Sequence, residues 1–168
     1  PYVNHRMNTL LEMQLSQTSY PFLPYTLSHE YIYTSALKMF FDNFLFGVGP
    51  NLFSVKCSMS KYFVEFGCST HAHNYYIHLL AETGIIGFLF LFIFFLFAAI
   101  KILFKFFSNY NLFNLKIIST SATIFYFFYF IEFFPLKPSG NFFANHLNIM
   151  IYIPMGFLLY FHYKSEDS

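Results

Sequence analysis

The chain has 168 residues, 57% of them hydrophobic, 25% aromatic and only 10% charged, with a net charge of +1. A soluble domain carries about 25% charged residues, so this chain cannot clothe a water-facing surface and reads as a membrane protein. Its near-neutral charge excludes the basic stripe that a nucleic-acid partner would need.

The chain opens at Pro1 with no initiating Met, no n-region and no h-region, and is read as the C-terminal part of a longer protein. Residues 1–78 are mixed in polarity and broken by Pro21, Pro24 and Pro50. Asn8 to Gln17 has the pattern of a short amphipathic helix. Ser28 to Phe41 has it more clearly. Ser28 stands as N-cap and Glu30 in the first turn. Ile32, Ala36, Met39 and Phe40 recur at helical spacing and give one apolar face. Gly47-Val48-Gly49-Pro50 ends that helix in a turn. Cys57 and Cys68 follow in the same polar region. In an oxidising compartment a disulfide closing this small loop is the expectation; the other reading is two unpaired thiols.

Three stretches then approach the roughly 20 residues that a membrane span requires. The first, 79–107, is charge-free from Gly84 to Ile100. The second, 117–136, holds one acid, Glu132. The third, 142–161, holds no charge but includes Asn145, His146 and Asn148, with Pro154 and Gly156 inside it. Neighbouring helices can satisfy a carbonyl freed by Pro154. The loop between the first two spans carries Lys101, Lys105 and Lys116 and no acid, whereas the loop between the last two has only Lys137 beside Glu132. The positive-inside rule therefore places the first loop and the tail, 162–168, in the cytoplasm and residues 1–78 outside. The expected fold is an all-α membrane protein: a partly helical outer loop followed by three transmembrane helices.

The chemistry-bearing residues cluster where the outer loop meets the first span. His71 and His73 share a face if the segment is extended and diverge by about 200° on a helix. Their spacing is not that of the His-Glu-x-x-His zinc helix, and no third ligand stands at a fitting interval, so no metal is assigned. An imidazole there can act as a base or carry a proton at neutral pH. Asn74, His78 and Glu82 follow at four-residue intervals and form one polar stripe on a helix. Glu82 can orient a His or hold a substrate hydroxyl; His78 alone reads as a water-facing residue of the helix end. Arg6 is the one guanidinium in the chain, and its planar fork of donors suits phosphate.

Taken together, Ala36-Leu37-Lys38-Met39-Phe40, Leu45-Phe46-Gly47-Val48-Gly49-Pro50, His71-Ala72-His73-Asn74, Glu82-Thr83-Gly84 and Gly87 resemble the C-terminal signature of the bacterial O-antigen ligase and O-antigen polymerase family. Pro138-Ser139-Gly140-Asn141-Phe142-Phe143, Ile153-Pro154-Met155-Gly156 and the cysteine pair resemble one branch of it. The resemblance implies a multi-spanning inner-membrane enzyme, independent of metal and cofactor and inverting, whose active loop faces the periplasm. Such enzymes move a glycan from an undecaprenyl diphosphate carrier to an acceptor sugar. The acceptor is lipid A–core in ligases and a second carrier-linked glycan in polymerases. By motif, His73 takes the role of the His that assists the acceptor hydroxyl, with His71 and Glu82 beside it. Many members carry an Arg in the helix before the Gly-x-Gly turn; here the sequence is Ser28-His29-Glu30. Diphosphate and substrate contacts therefore fall to Arg6 and His29, with Asn74, Gly47 and Gly49. Two rivals remain: a metal-dependent hydrolase using His71 and His73, and a transporter whose polar path is lined by Asn145, His146 and Asn148.

Overall fold

The computed structural model describes residues 27–108 and 120–166. Arg6 and the Asn8–Gln17 segment lie outside the described residues. Helix α1 spans Leu27–Asp42, α2 Phe53–Lys56, α3 Tyr75–Ser108, α4 Thr120–Glu132 and α5 Asn145–Glu166. The described residues hold helices and loops and no strand.

Helix α1 forms where the apolar periodicity places it, although it begins at Leu27, one residue ahead of the expected cap. Ile32, Ala36, Met39 and Phe40 are all buried. With Phe53, Cys57, Tyr62, Ala72 and Ala81 most of this face builds a small core under the loop region. Ser35, on the same face, is buried too, and its hydroxyl donates to the Tyr62 carbonyl at 3.0 Å. Cys57 and Cys68 are joined in a disulfide with 5.3 Å between their Cα atoms. That crosslink closes the 57–68 loop against the small core.

A second, larger core lies between α3, α4 and α5, where Leu91, Phe95 and Ala98 meet Ala122, Tyr126, Tyr129, Ile151 and Leu158. Helix α1 packs on α3, α3 on α4, and α4 on α5. Aromatic pairs tie these layers: Phe95 stacks on Phe130 at 5.2 Å and Phe125 on Phe157 at 6.0 Å. Pro154 sits inside α5. The Tyr129 hydroxyl donates to the Ile151 carbonyl at 2.6 Å. Support from a neighbouring helix thus arrives one residue beyond the Met150 carbonyl that Pro154 leaves without its helical donor.

The expected three spans are resolved differently. Only Tyr75–Phe107 is both long and apolar enough to cross a bilayer among the described residues. The described part of α4 has 13 residues, about 20 Å at 1.5 Å per residue, against a hydrocarbon core of about 30 Å. Helix α5 is 22 residues long, but Asn145, His146, Asn148, His162, Lys164 and Glu166 dilute its apolar character. Within 117–136 and 142–161 the described residues form one short apolar helix and one long mixed helix, and those two spans stay expectations. Asn145, His146 and Asn148 fall in the first turn of α5 rather than at its centre.

Helix α3 is broken at Gly84, whose φ of 66° and ψ of −161° lie outside helical space. That region is open essentially to glycine alone. The break frees backbone groups, and the turn after α1 takes them up. Val48 N–H donates to the Ala81 carbonyl and Gly49 N–H to the Glu82 carbonyl, both at 2.9 Å, while Ile85 N–H donates to the Phe44 carbonyl at 2.9 Å. A Cβ on Gly47 would stand 2.4 Å from the Glu82 carbonyl carbon, and one on Gly84 2.4 Å from Leu45. Two glycines thus let the two backbones touch.

Candidate functional site

The site is built on that contact. Asn74 caps α3, its Oδ1 accepting from Tyr76 N–H at 3.0 Å and Ile77 N–H at 3.2 Å. Its Nδ2 donates to the Pro135 carbonyl at 2.7 Å, fastening the loop after α4 to the start of α3. Both ends of this buried amide are occupied, so Asn74 holds the framework and is not placed to bind substrate. Asn74→Ala removes a cap and strands a carbonyl. The expected loss is about 2–4 kcal/mol, the sum of a cap and an orphaned buried acceptor. Asn74→Asp keeps the cap but sets a buried carboxylate oxygen against the Pro135 carbonyl, so it is expected to lose at least as much; thermal unfolding in detergent reads both.

Four and eight residues on, His78 and Glu82 are fully buried. The stripe points inward, into the seam between α3 and the α1–α2 turn. His78 Nδ1 accepts from Ala72 N–H at 3.2 Å, which leaves its proton on Nε2, 3.2 Å from Glu82 Oε2. The water-facing reading of His78 is thereby corrected. The Glu82 carboxylate also accepts from Asn51 N–H at 2.6 Å and Phe53 N–H at 2.7 Å. It anchors the turn that leads into α2. The His that it meets is His78, not His71 or His73. Gly47 and Gly49 have their N–H groups engaged, Gly47 to the Asn43 carbonyl at 2.8 Å and Gly49 to Glu82. Their expected part in substrate binding gives way to backbone packing.

On this framework stand three half-buried imidazoles. His73 adopts a left-handed φ of 55°, a conformation that His tolerates better than most side chains. Its Nε2 lies 3.1 Å from Ser69 Oγ, and its carbonyl accepts from Ser139 N–H at 2.9 Å. The His71 ring is 4.2 Å from it, centroid to centroid, and the His29 ring, from the first turn of α1, is 5.5 Å away, edge on. The structure therefore brings His29, His71 and His73 together, the three histidines singled out by sequence. Burial, and then the neighbouring His29, hold the His73 pKa below its ordinary value. Burial, His73 and His78 do the same for His71, partly opposed by a hydrogen bond to the Ser139 backbone. Both rings are thus poised as free bases near neutral pH.

Sequence reasoning missed Ser69 as a partner of His73, and Ser139 as the residue that ties the loop after α4 to the His pair. Ser69 stands four residues before His73, a spacing that carries no signal in a loop. A groove of about 370 Å³ runs between α1, α3 and the loop after α4, lined by Glu30, Tyr33, Ile77, Phe88, Phe92 and Leu136. Its wall is almost wholly apolar. Among the described residues no group of three or more His, Cys, Asp and Glu side chains is placed to hold a metal ion.

A helical integral membrane protein that carries a clustered imidazole loop at the head of its apolar helix is the class that this architecture defines. Residues 26–92 match the model of the O-antigen ligase family. The match runs from α1 through the His loop and the Gly84 break into the apolar part of α3. No curated protein and no solved structure matches the chain.

Proposed function

We propose that the chain is the catalytic C-terminal part of a glycosyltransferase that takes a glycan from an undecaprenyl diphosphate carrier and joins it to an acceptor sugar. The observation that carries this reading is the cluster of His29, His71 and His73 at the head of α3, the one helix of membrane length and hydropathy among the described residues. A carrier lipid keeps its tail in the bilayer, so its diphosphate lies at the interface where that helix begins. The apolar groove between α1 and α3 suits a polyprenyl tail.

The reaction needs two things at that depth. An acceptor hydroxyl must lose a proton as it attacks C1 of the donor sugar, and the leaving diphosphate must be offset by positive charge or donors. His73, a free base partnered by Ser69, serves the hydroxyl. His71 and His29 face the diphosphate, whose negative charge favours their protonated forms. Attack from the face opposite the diphosphate inverts the anomeric centre. No step requires a metal, and the positive-inside rule favours a cytoplasmic side for Lys101 and Lys105, near the C-terminal end of α3, and a periplasmic side for the His loop.

The pH dependence follows. A His whose folded pKa is depressed binds its proton later than the unfolded chain does. Activity through His73 is therefore expected to persist below the ordinary imidazole pKa of about 6.5, and to fall only as pH drops through the lowered value. Stability shares that sign, present above about 6.5 and lost as pH falls through the folded pKa. A pH–rate profile of kcat/KM checks it; an acid limb above 6.5 contradicts the assignment.

The surface-glycan profile of a strain lacking the complete gene distinguishes the acceptor. Loss of all polymer from lipid A–core, with long carrier-linked chains accumulating, marks a ligase. Single repeats on the core without a ladder mark a polymerase. An unchanged profile counts against both.

A further inference from the structure

Among the described histidines His78 alone is fully buried, and the reaction above gives it no part. Its ring lies between those of Phe53, at 6.2 Å, and Phe143, at 5.9 Å, centroid to centroid. A polar ring at that depth is costly unless its nitrogens are engaged. Nδ1 accepts from Ala72 N–H at 3.2 Å. Nε2 lies 3.2 Å from Glu82 Oε2, but off the line of a hydrogen bond. The aligned contact of the ring is therefore the one to Ala72.

Ala72 stands between His71 and His73 and is itself buried. Residues 69–74 belong to no helix, so no helical ladder holds them. Separate ties do. Ser139 N–H donates to the His73 carbonyl at 2.9 Å, Asn74 caps α3 and holds Pro135, and His78 takes the Ala72 N–H. Of these ties only the one to His78 grips the backbone between the two rings. A shift there turns both rings together, since each is one residue away. One helical turn after His78, on the same face of α3, the Glu82 carboxylate accepts from Asn51 and Phe53 N–H. The His loop and the turn into α2 are thus fixed to neighbouring positions of one helix face.

We infer that His78 is a positioning residue for glycan transfer: through the Ala72 N–H it sets where His71 and His73 stand, without touching substrate. The inference rests on the function proposed above and adds to it a residue outside the His-Ala-His-Asn string. The contrasting role for His78 is to fill space in the seam, in which case transfer follows stability.

Two substitutions in the complete protein separate these roles. In His78→Asn a side-chain oxygen replaces Nδ1 and keeps an acceptor for Ala72, while the Glu82 contact is lost and a gap opens. In His78→Gln the longer amide replaces Nε2, fills more of the space and stays near Glu82, but nothing accepts from Ala72. Asn is the poorer helix former and leaves the larger cavity, so His78→Asn is expected to unfold at the lower temperature. Transfer is expected to run the other way. A misplacement of about 1 Å can cost about 10²-fold, so His78→Gln should lose about 10–100-fold in kcat/KM, while His78→Asn retains most of it. Hydrogen exchange of the Ala72 amide, read on the same samples, should be slow in the parent and in His78→Asn and fast in His78→Gln. Transfer that ranks with unfolding temperature, or is lost equally in both variants, overturns the positioning role, as does an Ala72 amide equally slow in both. A parent that transfers no glycan yet shows the expected exchange pattern overturns the proposed function, and the role of His78 in it, while the tie to Ala72 stands.

Discussion

Replacing His73 with Ala in the complete protein is expected to abolish glycan transfer while the protein stays in the membrane at its normal level. A positioned base contributes roughly 10²–10⁴-fold, and His73 is the imidazole in ring contact with both others, His71 at 4.2 Å and His29 at 5.5 Å, with Ser69 Oγ 3.1 Å from its Nε2. Its left-handed φ of 55° complicates the substitution, because Ala is strained there. His73→Asn resolves the matter. Asn tolerates the left-handed region and cannot serve as the base, so it should keep the loop and still lose the reaction by a similar factor. His71→Ala should weaken carrier binding more than it slows the step with carrier bound, since His71 lies beside the proposed base, 4.2 Å from it between ring centroids, and on this account faces the diphosphate. Near-normal transfer by His73→Asn would remove His73 from the chemistry.

Gly84→Ala is expected to be the most damaging single change to the framework. Its φ of 66° with ψ of −161° is strained for any side chain, at about 1–3 kcal/mol. The added Cβ would also stand 2.4 Å from the Leu45 carbonyl group, an overlap with backbone that costs a further 1–3 kcal/mol or so. The sum, about 2–6 kcal/mol, is a large part of the stability of a typical domain. Relaxing α3 into a continuous helix avoids the strain but breaks the Ile85-to-Phe44 bond and frees Val48 and Gly49 from their acceptors. The α1–α2 turn then loosens, and His29 drifts from His73. The expected outcome is a lowered unfolding temperature in detergent together with lost transfer. Gly156→Ala is the control: nothing lies within 4 Å of its Cβ position, and its φ is not left-handed, so it should be neutral. Equal stability of Gly84→Ala and Gly156→Ala would contradict the Gly47–Gly84 contact.

How much of this was written plainly in the chain depends on the kind of signal. Helix α1 was legible because Ile32, Ala36, Met39 and Phe40 repeat at the helical period, and all are buried. The His29, His71 and His73 cluster was legible from residue type and motif, although His29 and His73 are 44 positions apart and only the fold brings them together. The polar stripe of Asn74, His78 and Glu82 was legible as a stripe but not in its direction. Four-residue spacing fixes a common face, and only tertiary packing decides whether that face meets water or the α1–α2 turn. Gly47 and Gly49 were assigned to substrate contact, and Glu82 to orienting a His or holding a substrate hydroxyl. The backbone groups that Glu82 meets lie 31 and 29 residues away and leave no mark in local sequence. The second and third spans stay expectations, because hydropathy reads length without seeing where a helix stops: α4 ends at Glu132, before Pro135.

The central claim is that this protein breaks a sugar–diphosphate bond and makes a glycosidic one. The most direct measurement supplies the purified complete protein, in vesicles and with a chelator present, with carrier diphosphate-linked glycan and an acceptor glycan. The account predicts that acceptor lengthening and release of undecaprenyl diphosphate rise together, and that both vanish in His73→Asn. Carrier-linked glycan that stays intact, whether left in place or moved across the membrane, would contradict it.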